Sequence, residues 1–142
     1  MNNEAITALE QEAKKESFAR KMNLKLRELK PGYAVVEMEP QQDVINIFGM
    51  THGGAIFSLI DEAFQLSCNS HGQVAVALNV NVSYHKPSDI SSRLKAISRE
   101  IHLSNKTGTY EIKVYDESDT LIASCMALAY RKKEKLPFIN DQ

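Results

Sequence analysis

Hydrophobic and polar residues alternate with a period of two in the early part of the chain, from residue 22 to residue 38. Leu24 and Leu26 are separated by polar residues, and the alternation resumes after Pro31 and Gly32. This alternation is typical of strands with one buried face, and a Pro-Gly pair marks a turn. The pattern therefore predicts a β-hairpin over residues 22–38.

A pattern with the period of an α-helix follows a loop at residues 40–52. Residues 54–71 are mostly apolar, and Gly72 comes where a helix commonly ends. A weaker helical pattern near the N-terminus sets Leu9 and Ala13 among charged residues. We expect a long central helix over 54–71 and a short accessory helix within residues 1–20.

Four further strand-like runs follow the helix, near residues 74–85, 92–103, 107–116 and 120–131. The first places its apolar residues at alternate positions, which predicts one common face for Val74, Val76, Leu78, Val80, Val82 and Tyr84. The last, LIASCMALAY, is apolar on both faces, which predicts a central strand covered on both sides.

The order of elements predicts an α+β fold in which one long helix packs on an antiparallel sheet. The turns between the last strands are short, and parallel strands would need longer crossovers. No linker-like segment divides the chain, so we expect one domain over residues 1–142, ending in a tail at 132–142.

Composition excludes several classes of protein. The chain is 43% hydrophobic and 25% charged, with a formal net charge of -1, and it carries no basic stripe. We therefore expect no nucleic-acid partner.

The N-terminus is polar and no apolar run is long enough to span a membrane, so we expect a cytoplasmic protein without a membrane partner. Cys68 and Cys125 lack metal-ligand spacing, so we expect core thiols and no metal site.

One narrow stripe of the long helix is polar and is made of Ser58, Asp61, Glu62, Gln65 and Asn69. Such stripes are usually only solvated. Here, however, His52, Gly53 and Gly54 stand at the start of the helix, where free backbone N–H groups can stabilise a carbonyl oxygen. Asp61 lies two turns further along and supplies a carboxylate to the same groove. Together these are the parts of a hydrolase.

The spacing of these residues resembles the hotdog-fold acyl-CoA thioesterases of the phenylacetate-degradation (PaaI-type) group. The motif consists of Asn46, Gly49, His52, Gly53 and Gly54, with Asp61 eight residues after Gly53. The segment HGGAIFSLIDEAFQLSCNSHG and the later VSYHKP and TGTYEIKVYD extend the likeness over roughly residues 20–131. The resemblance implies the hotdog fold and thioester hydrolysis.

The resemblance also implies roles for these residues. Asp61 is expected to be the general base that activates water, or the nucleophile. The backbone N–H of Gly53 is expected to polarise the thioester carbonyl, with His52 alongside and Asn46 positioning the water or the thioester. The expected substrate contacts are Gly54, Phe57 and Gln65.

The resemblance further implies a homodimer, and a dimer of dimers, with each site built across the dimer interface. Coenzyme A would be part of the substrate, and no separate cofactor is expected.

Two alternative functions stay open at this point. The chain could be a CoA-ester sensor without turnover, or a hotdog dehydratase that uses His52 with Asp61. Glu62 points about 100° away from Asp61 around the helix, and we interpret it as solvated or structural. Gln65 stands where related aryl-CoA enzymes often place a hydroxyl residue.

Overall fold

The computed structural model describes residues 2–139. Three α-helices and six β-strands make up the fold, with a short 3-10 helix at Gln42–Val44 between them. They are α1 (Asn2–Lys15), α2 (Ser17–Lys21), β1 (Leu24–Lys30), β2 (Tyr33–Met38), α3 (Gly53–Asn69), β3 (Gln73–Tyr84), β4 (Leu94–Leu103), β5 (Thr107–Tyr115) and β6 (Leu121–Lys135). The tail expected at 132–142 therefore begins later, because β6 continues to Lys135; residues 140–142 lie outside the described part.

The six strands form one antiparallel sheet in the order β1-β2-β4-β5-β6-β3, and α3 packs against one face of it. This confirms the predicted α+β architecture. The hairpin is also confirmed, since β1 and β2 pair across the turn that contains Gly32, whose φ is +72°. Few side chains adopt such a φ, which explains the glycine there.

The buried face of α3 supplies the centre of the core. Leu59, Ile60 and Ala63 are inaccessible to solvent, and Phe64 packs edge-on against Tyr110 with ring centroids 5.6 Å apart. Burial of this apolar surface is the main favourable term that holds the helix on the sheet.

The two cysteines are free thiols buried in this core. Burial raises the pKa of Cys68 to about 12 and that of Cys125 to about 11. Both thiols therefore stay protonated and unreactive near neutral pH. The prediction of core thiols is confirmed.

The C-terminal end of α3 is held to the sheet by buried polar contacts. The hydroxyls of Ser67 and Ser98 lie 2.6 Å apart, and Ser70 Oγ accepts the N–H of Gly32 at 2.7 Å. Gly72 follows with a φ of +92°, and α3 ends at Asn69, two residues before the predicted end at residue 71. The helix is thus anchored in register as well as by its apolar face.

The outer strands differ from the prediction. The pairings of β3 with β6 jump from Ala77–Ala129 to Asn79–Leu128, which leaves Leu78 as an extra residue in a bulge. A bulge of this kind switches the faces of the residues on its two sides. The expectation that all six apolar residues of β3 share one face is therefore wrong.

The last strand is confirmed as an interior strand, since β6 pairs with β5 and with the edge strand β3. The expectation that both of its faces are covered is wrong for the protomer, because only one face of the sheet carries α3. The outward side chains Met126 and Tyr130 are 45% and 39% exposed. The apolar residues on this second face leave an uncovered patch on the protomer.

Replacing Phe64 by alanine should lower the free energy of unfolding by about 3–5 kcal/mol, because it leaves a cavity in the core. Phe64 is 1% exposed, whereas Phe18 is 51% exposed. Phe18→Ala is the matched control, with an expected change within about 0.5 kcal/mol. Urea unfolding at one protein concentration measures both, and equal losses for the two variants would contradict this account of the core.

Candidate active site

The loop before α3 is shaped by Asn46. Its side-chain oxygen Oδ1 accepts the N–H groups of Phe48 and Met50 at 2.9 and 3.1 Å. Its backbone N–H bonds to the carbonyl of Met50, and Gly49 turns the chain with a φ of +78°. Asn46 therefore fixes a tight turn whose exposed tip presents Ile47 and Phe48 to solvent. A direct role of Asn46 toward a substrate stays a prediction.

His52 is the N-cap residue of α3. Its ring nitrogen Nδ1 accepts the N–H of Gly54 at 2.8 Å, and its carbonyl accepts the N–H groups of Ala55 and Ile56. Since Nδ1 is the acceptor, the neutral ring carries its proton on Nε2. The sequence placed His52 at the site, and the structure adds that it caps the helix.

Gly53 has the free donor of the first helical turn. Within residues 2–139 its backbone N–H has no protein acceptor, whereas the next three N–H groups are all bonded to His52. An N–H at the positive end of the helix dipole favours an oxygen that carries negative charge. The structure therefore leaves one oriented donor available at this helix end.

Tyr84, at the end of β3, holds the peptide that follows this donor. Its hydroxyl donates to the carbonyl of Gly53 at 3.0 Å. The peptide between Gly53 and Gly54 is thus held at both ends, by Tyr84 through its oxygen and by His52 through its N–H. Sequence reasoning missed this role, although VSYHKP was part of the resemblance. No local pattern shows that the end of β3 reaches the start of α3.

The protomer alone does not require glycine at position 53. A Cβ added there would lie 3.5 Å from the ring of Tyr84, an ordinary contact distance. The absence of a side chain instead leaves the approach to the free N–H open from outside.

Asp61 lies eight residues after Gly53 on the exposed side of α3. At 1.5 Å per residue the two positions are about 12 Å apart along the helix axis. Partial enclosure by neighbouring atoms raises the pKa of Asp61, and the negative charge of Glu16 raises it further. The structure places both predicted groups on one helix but does not bring them together within one protomer.

Glu62 differs from the solvated interpretation, because its side chain is turned inward and is only 6% exposed. Burial raises its pKa to about 9, and a hydrogen bond to Glu16 and the charges of Glu16 and Asp61 act in the same direction. Gln65 links the two glutamates, since its amide nitrogen lies 3.1 Å from Glu16 and 3.3 Å from Glu62. Sequence reasoning missed Glu16 because it is remote in the chain.

The remaining residues of the polar stripe and the loop divide into two groups. Ser58 donates to the carbonyl of Gly54 one turn back, so its hydroxyl is engaged within the helix. Four residues are exposed to solvent: Gly54, Phe57, Asp61 and Gln65. Their contact with a substrate stays a prediction.

Two kinds of feature are absent from the described residues. Between residues 2 and 139, no cluster of three or more His, Cys, Asp or Glu side chains is arranged to hold a metal ion. None of the helices in that range has the length and apolar character needed to span a membrane.

Comparison with known proteins decides the family. The model of the thioesterase superfamily matches residues 48–123, which include the start of α3, Asp61 and Tyr84. This chain belongs to the thioesterase superfamily. The match covers more than half of the chain and contains most of the site described above.

Two relatives place this thioesterase more closely. It is 28% identical over 116 residues to the acyl-coenzyme A thioesterase PaaI of Escherichia coli, covering 82% of this chain and 83% of that protein. The structure of E. coli PaaI superposes with a TM-score of 0.90 at 25% identity, covering 94% and 97% of the two chains. A mutant structure of PaaI from Thermus thermophilus is 35% identical, with a TM-score of 0.79 over 82% of this chain and all of that one. The predicted hotdog fold is confirmed.

A third neighbour shares the fold. It is a Streptococcus mutans protein bound to acetyl CoA, 24% identical, with a TM-score of 0.77 over 80% of this chain and 92% of that chain.

His52→Ala should lower the free energy of unfolding by about 1 kcal/mol, because the N-cap acceptor for Gly54 is lost. His52→Asn should restore most of that stability, since asparagine is a favourable N-cap residue. Urea unfolding of both variants tests this. Equal destabilisation by alanine and asparagine would show that the cap contributes nothing to stability.

Proposed function

We propose that this thioesterase hydrolyses an acyl- or aryl-CoA thioester, with Asp61 as general base or nucleophile and the N–H of Gly53 as oxyanion donor. The observation that carries the proposal is the free N–H of Gly53, beside a Gly53–Gly54 peptide that Tyr84 and His52 hold in place. An N–H so oriented matches the needs of a carbonyl oxygen that gains charge in the transition state. The similarity to E. coli PaaI, an acyl-coenzyme A thioesterase, supports a CoA thioester as the substrate.

In the general-base route, Asp61 removes a proton from water as the water oxygen attacks the thioester carbonyl carbon. The carbonyl oxygen becomes an oxyanion that accepts the N–H of Gly53. The C–S bond then breaks, the sulfur leaves as the thiolate of CoA, and Asp61 returns the proton to it. In the nucleophile route, the Asp61 carboxylate attacks the carbonyl carbon, the C–S bond breaks and CoA leaves as the thiolate. Water then hydrolyses the mixed anhydride to the free acid and the Asp61 carboxylate, and a proton from that water passes to the thiolate. Both routes need Asp61 ionised, and its raised pKa makes it a stronger base.

The separation along α3 requires two copies of the chain. Asp61 and the Gly53 donor are about 12 Å apart on one helix, too far to act on one carbonyl group. We therefore propose a homodimer in which Asp61 of one protomer faces Gly53 of its partner.

The surface of the protomer supports this assembly. β3 is an edge strand, and edge strands carry unpaired backbone groups that can pair with a second chain. Val76 and Leu78 are exposed on that strand, and Met126 and Tyr130 are exposed on the outer face beside it. The edge at β3 suits pairing of two chains in a dimer. The exposed outer face of the sheet suits the contact between two dimers, so we propose a homotetramer.

The substrate contacts proposed for Gly54, Phe57 and Gln65 follow from the same arrangement. All three lie on the exposed side of α3 or at its start. Asn46 would contribute by holding the loop that presents His52 and Gly53 to the thioester, since its side-chain oxygen is already engaged with the loop backbone.

Asp61→Asn should lower kcat/KM about 10²–10⁴-fold on the best substrate from a panel of acyl- and aryl-CoA esters, because the base is lost without a change in size. Thiol release measures the rate. Asp43→Asn is the matched control; Asp43 lies exposed in the 3-10 helix, and this variant should keep the wild-type rate.

The same panel separates the alternatives. A CoA-ester sensor would bind members of the panel without releasing thiol, and a dehydratase would consume a 3-hydroxyacyl-CoA with the thioester intact. Wild-type activity in Asp61→Asn would remove Asp61 from the mechanism and leave the polar stripe as solvated surface.

A further inference from the structure

We infer that Glu16, which reaches α3 from the junction of the two N-terminal helices, is a positioning residue that sets the pH range in which Asp61 acts. This inference rests on the proposed function of Asp61. It assigns a role to the N-terminal helices, which lie outside the segment shared with the family model.

The backbone of Glu16 is held by both helices. Its N–H bonds to the carbonyl of Ala13 in α1, and its own carbonyl accepts the N–H of Arg20 in α2. It is the N-cap residue of α2, with φ -66° and ψ 114°. The side chain is therefore directed by two helices and reaches Gln65, 49 residues away in sequence, at 3.1 Å.

Glu16 and Glu62 form a hydrogen-bonded carboxyl pair, with Gln65 donating to both. Burial raises the pKa of Glu62 to about 9, so Glu62 is protonated near neutral pH. With Glu62 protonated, the pair carries at most one negative charge. Two carboxylates this close cannot both ionise without strong repulsion.

The charge on Glu16 acts on Asp61, the residue next to Glu62. It raises the pKa of Asp61 beyond the effect of burial. Asp61 also interacts with its neighbour Glu62 and with the neutral thiols of Cys68 and Cys125, on α3 and β6. Glu16 is therefore the charged group from outside α3 that opposes ionisation of Asp61.

Charged groups of both signs face the pair from the neighbouring elements. A cavity of about 610 Å³ separates α1 and α2 from β1, and Glu62 lines it together with Glu10, Lys14, Arg20, Lys25 and Arg27. On the other side, Glu12 and Lys15 share a groove with Gln65 and Glu16. Since the charge of Glu16 raises the pKa of Asp61, removing that charge lowers the pKa.

The test is Glu16→Gln, which keeps the shape and hydrogen-bonding capacity of the side chain but removes its charge. Asp61 must be ionised to act, so activity is lost as pH falls through its pKa. Lowering that pKa moves the acidic limb of the kcat/KM profile to lower pH. Loss of thioester absorbance follows the reaction without a pH-sensitive thiol reagent.

Two variants control this measurement. Glu12→Gln removes a charge from the same helix, where Glu12 pairs with the exposed Lys15, and should leave the limb at the wild-type pH. Glu16→Asp keeps the charge and should restore the limb toward the wild-type position. If Glu16 acted only through packing, the acidic limb of the kcat/KM profile would lie at the same pH in Glu16→Gln and Glu16→Asp.

A second readout does not depend on turnover. Carbon-13 NMR of aspartate-labelled protein follows the Asp61 carboxyl, assigned by its absence in Asp61→Asn, through a pH titration. Its midpoint should fall in Glu16→Gln, and also in Gln65→Met, which frees Glu16 from α3. Unchanged midpoints in both variants would overturn the inference. A lowered midpoint in a protein without thioesterase activity would uphold the effect of Glu16 on Asp61 and contradict the proposed function alone.

Discussion

The straightness of one helix constrains the rest of this molecule. α3 carries the free N–H of Gly53 at its start and the carboxylate of Asp61 two turns later, and a helix cannot bend to bring them together. The apolar face of α3, fixed on the sheet by residues such as Phe64, keeps that separation rigid. A site that uses both groups on one carbonyl must therefore be completed by a second protomer.

Both ends of α3 are held by polar contacts with different consequences. At the C-terminal end, the hydroxyl of Ser67 bonds to that of Ser98 in the sheet. The hydroxyl of Ser70 accepts the N–H of Gly32 and donates to the carbonyl of Ser67, and these contacts stabilise the fold. At the N-terminal end, His52 and Tyr84 satisfy the groups around Gly53 and leave its N–H free. At the N-terminal end, the N–H of Gly53 has no hydrogen bond in the described protomer and remains available as an oriented donor.

Much of this could be predicted from the sequence, because periodicity and local signals decide it. Three local signals predicted these elements: the alternation around Gly32, the long apolar run of α3 and the glycine after its end. The motif from Asn46 to Asp61 predicted the candidate site. These features depend on neighbours within a few residues, which the sequence displays directly.

The features that escaped prediction depend on distant contacts. The bulge at Leu78 follows from pairing with β6, and alternation continues through it without a signal. The burial of Glu62 depends on Glu16, which α1 and α2 bring to α3. The role of Tyr84 depends on where β3 ends relative to Gly53. Such contacts are fixed by tertiary packing, so no local pattern reports them.

The central claim is that Asp61 of one protomer and Gly53 of another serve the same thioester. Mixing two inactive variants, Asp61→Asn and Gly53→Val, with subunit exchange verified by native mass spectrometry, tests it most directly. Each mixed dimer then contains one site with both groups intact, and the account predicts partial recovery of thioester hydrolysis. Mixed dimers that form and remain inactive would show that Asp61 and Gly53 do not cooperate across the interface.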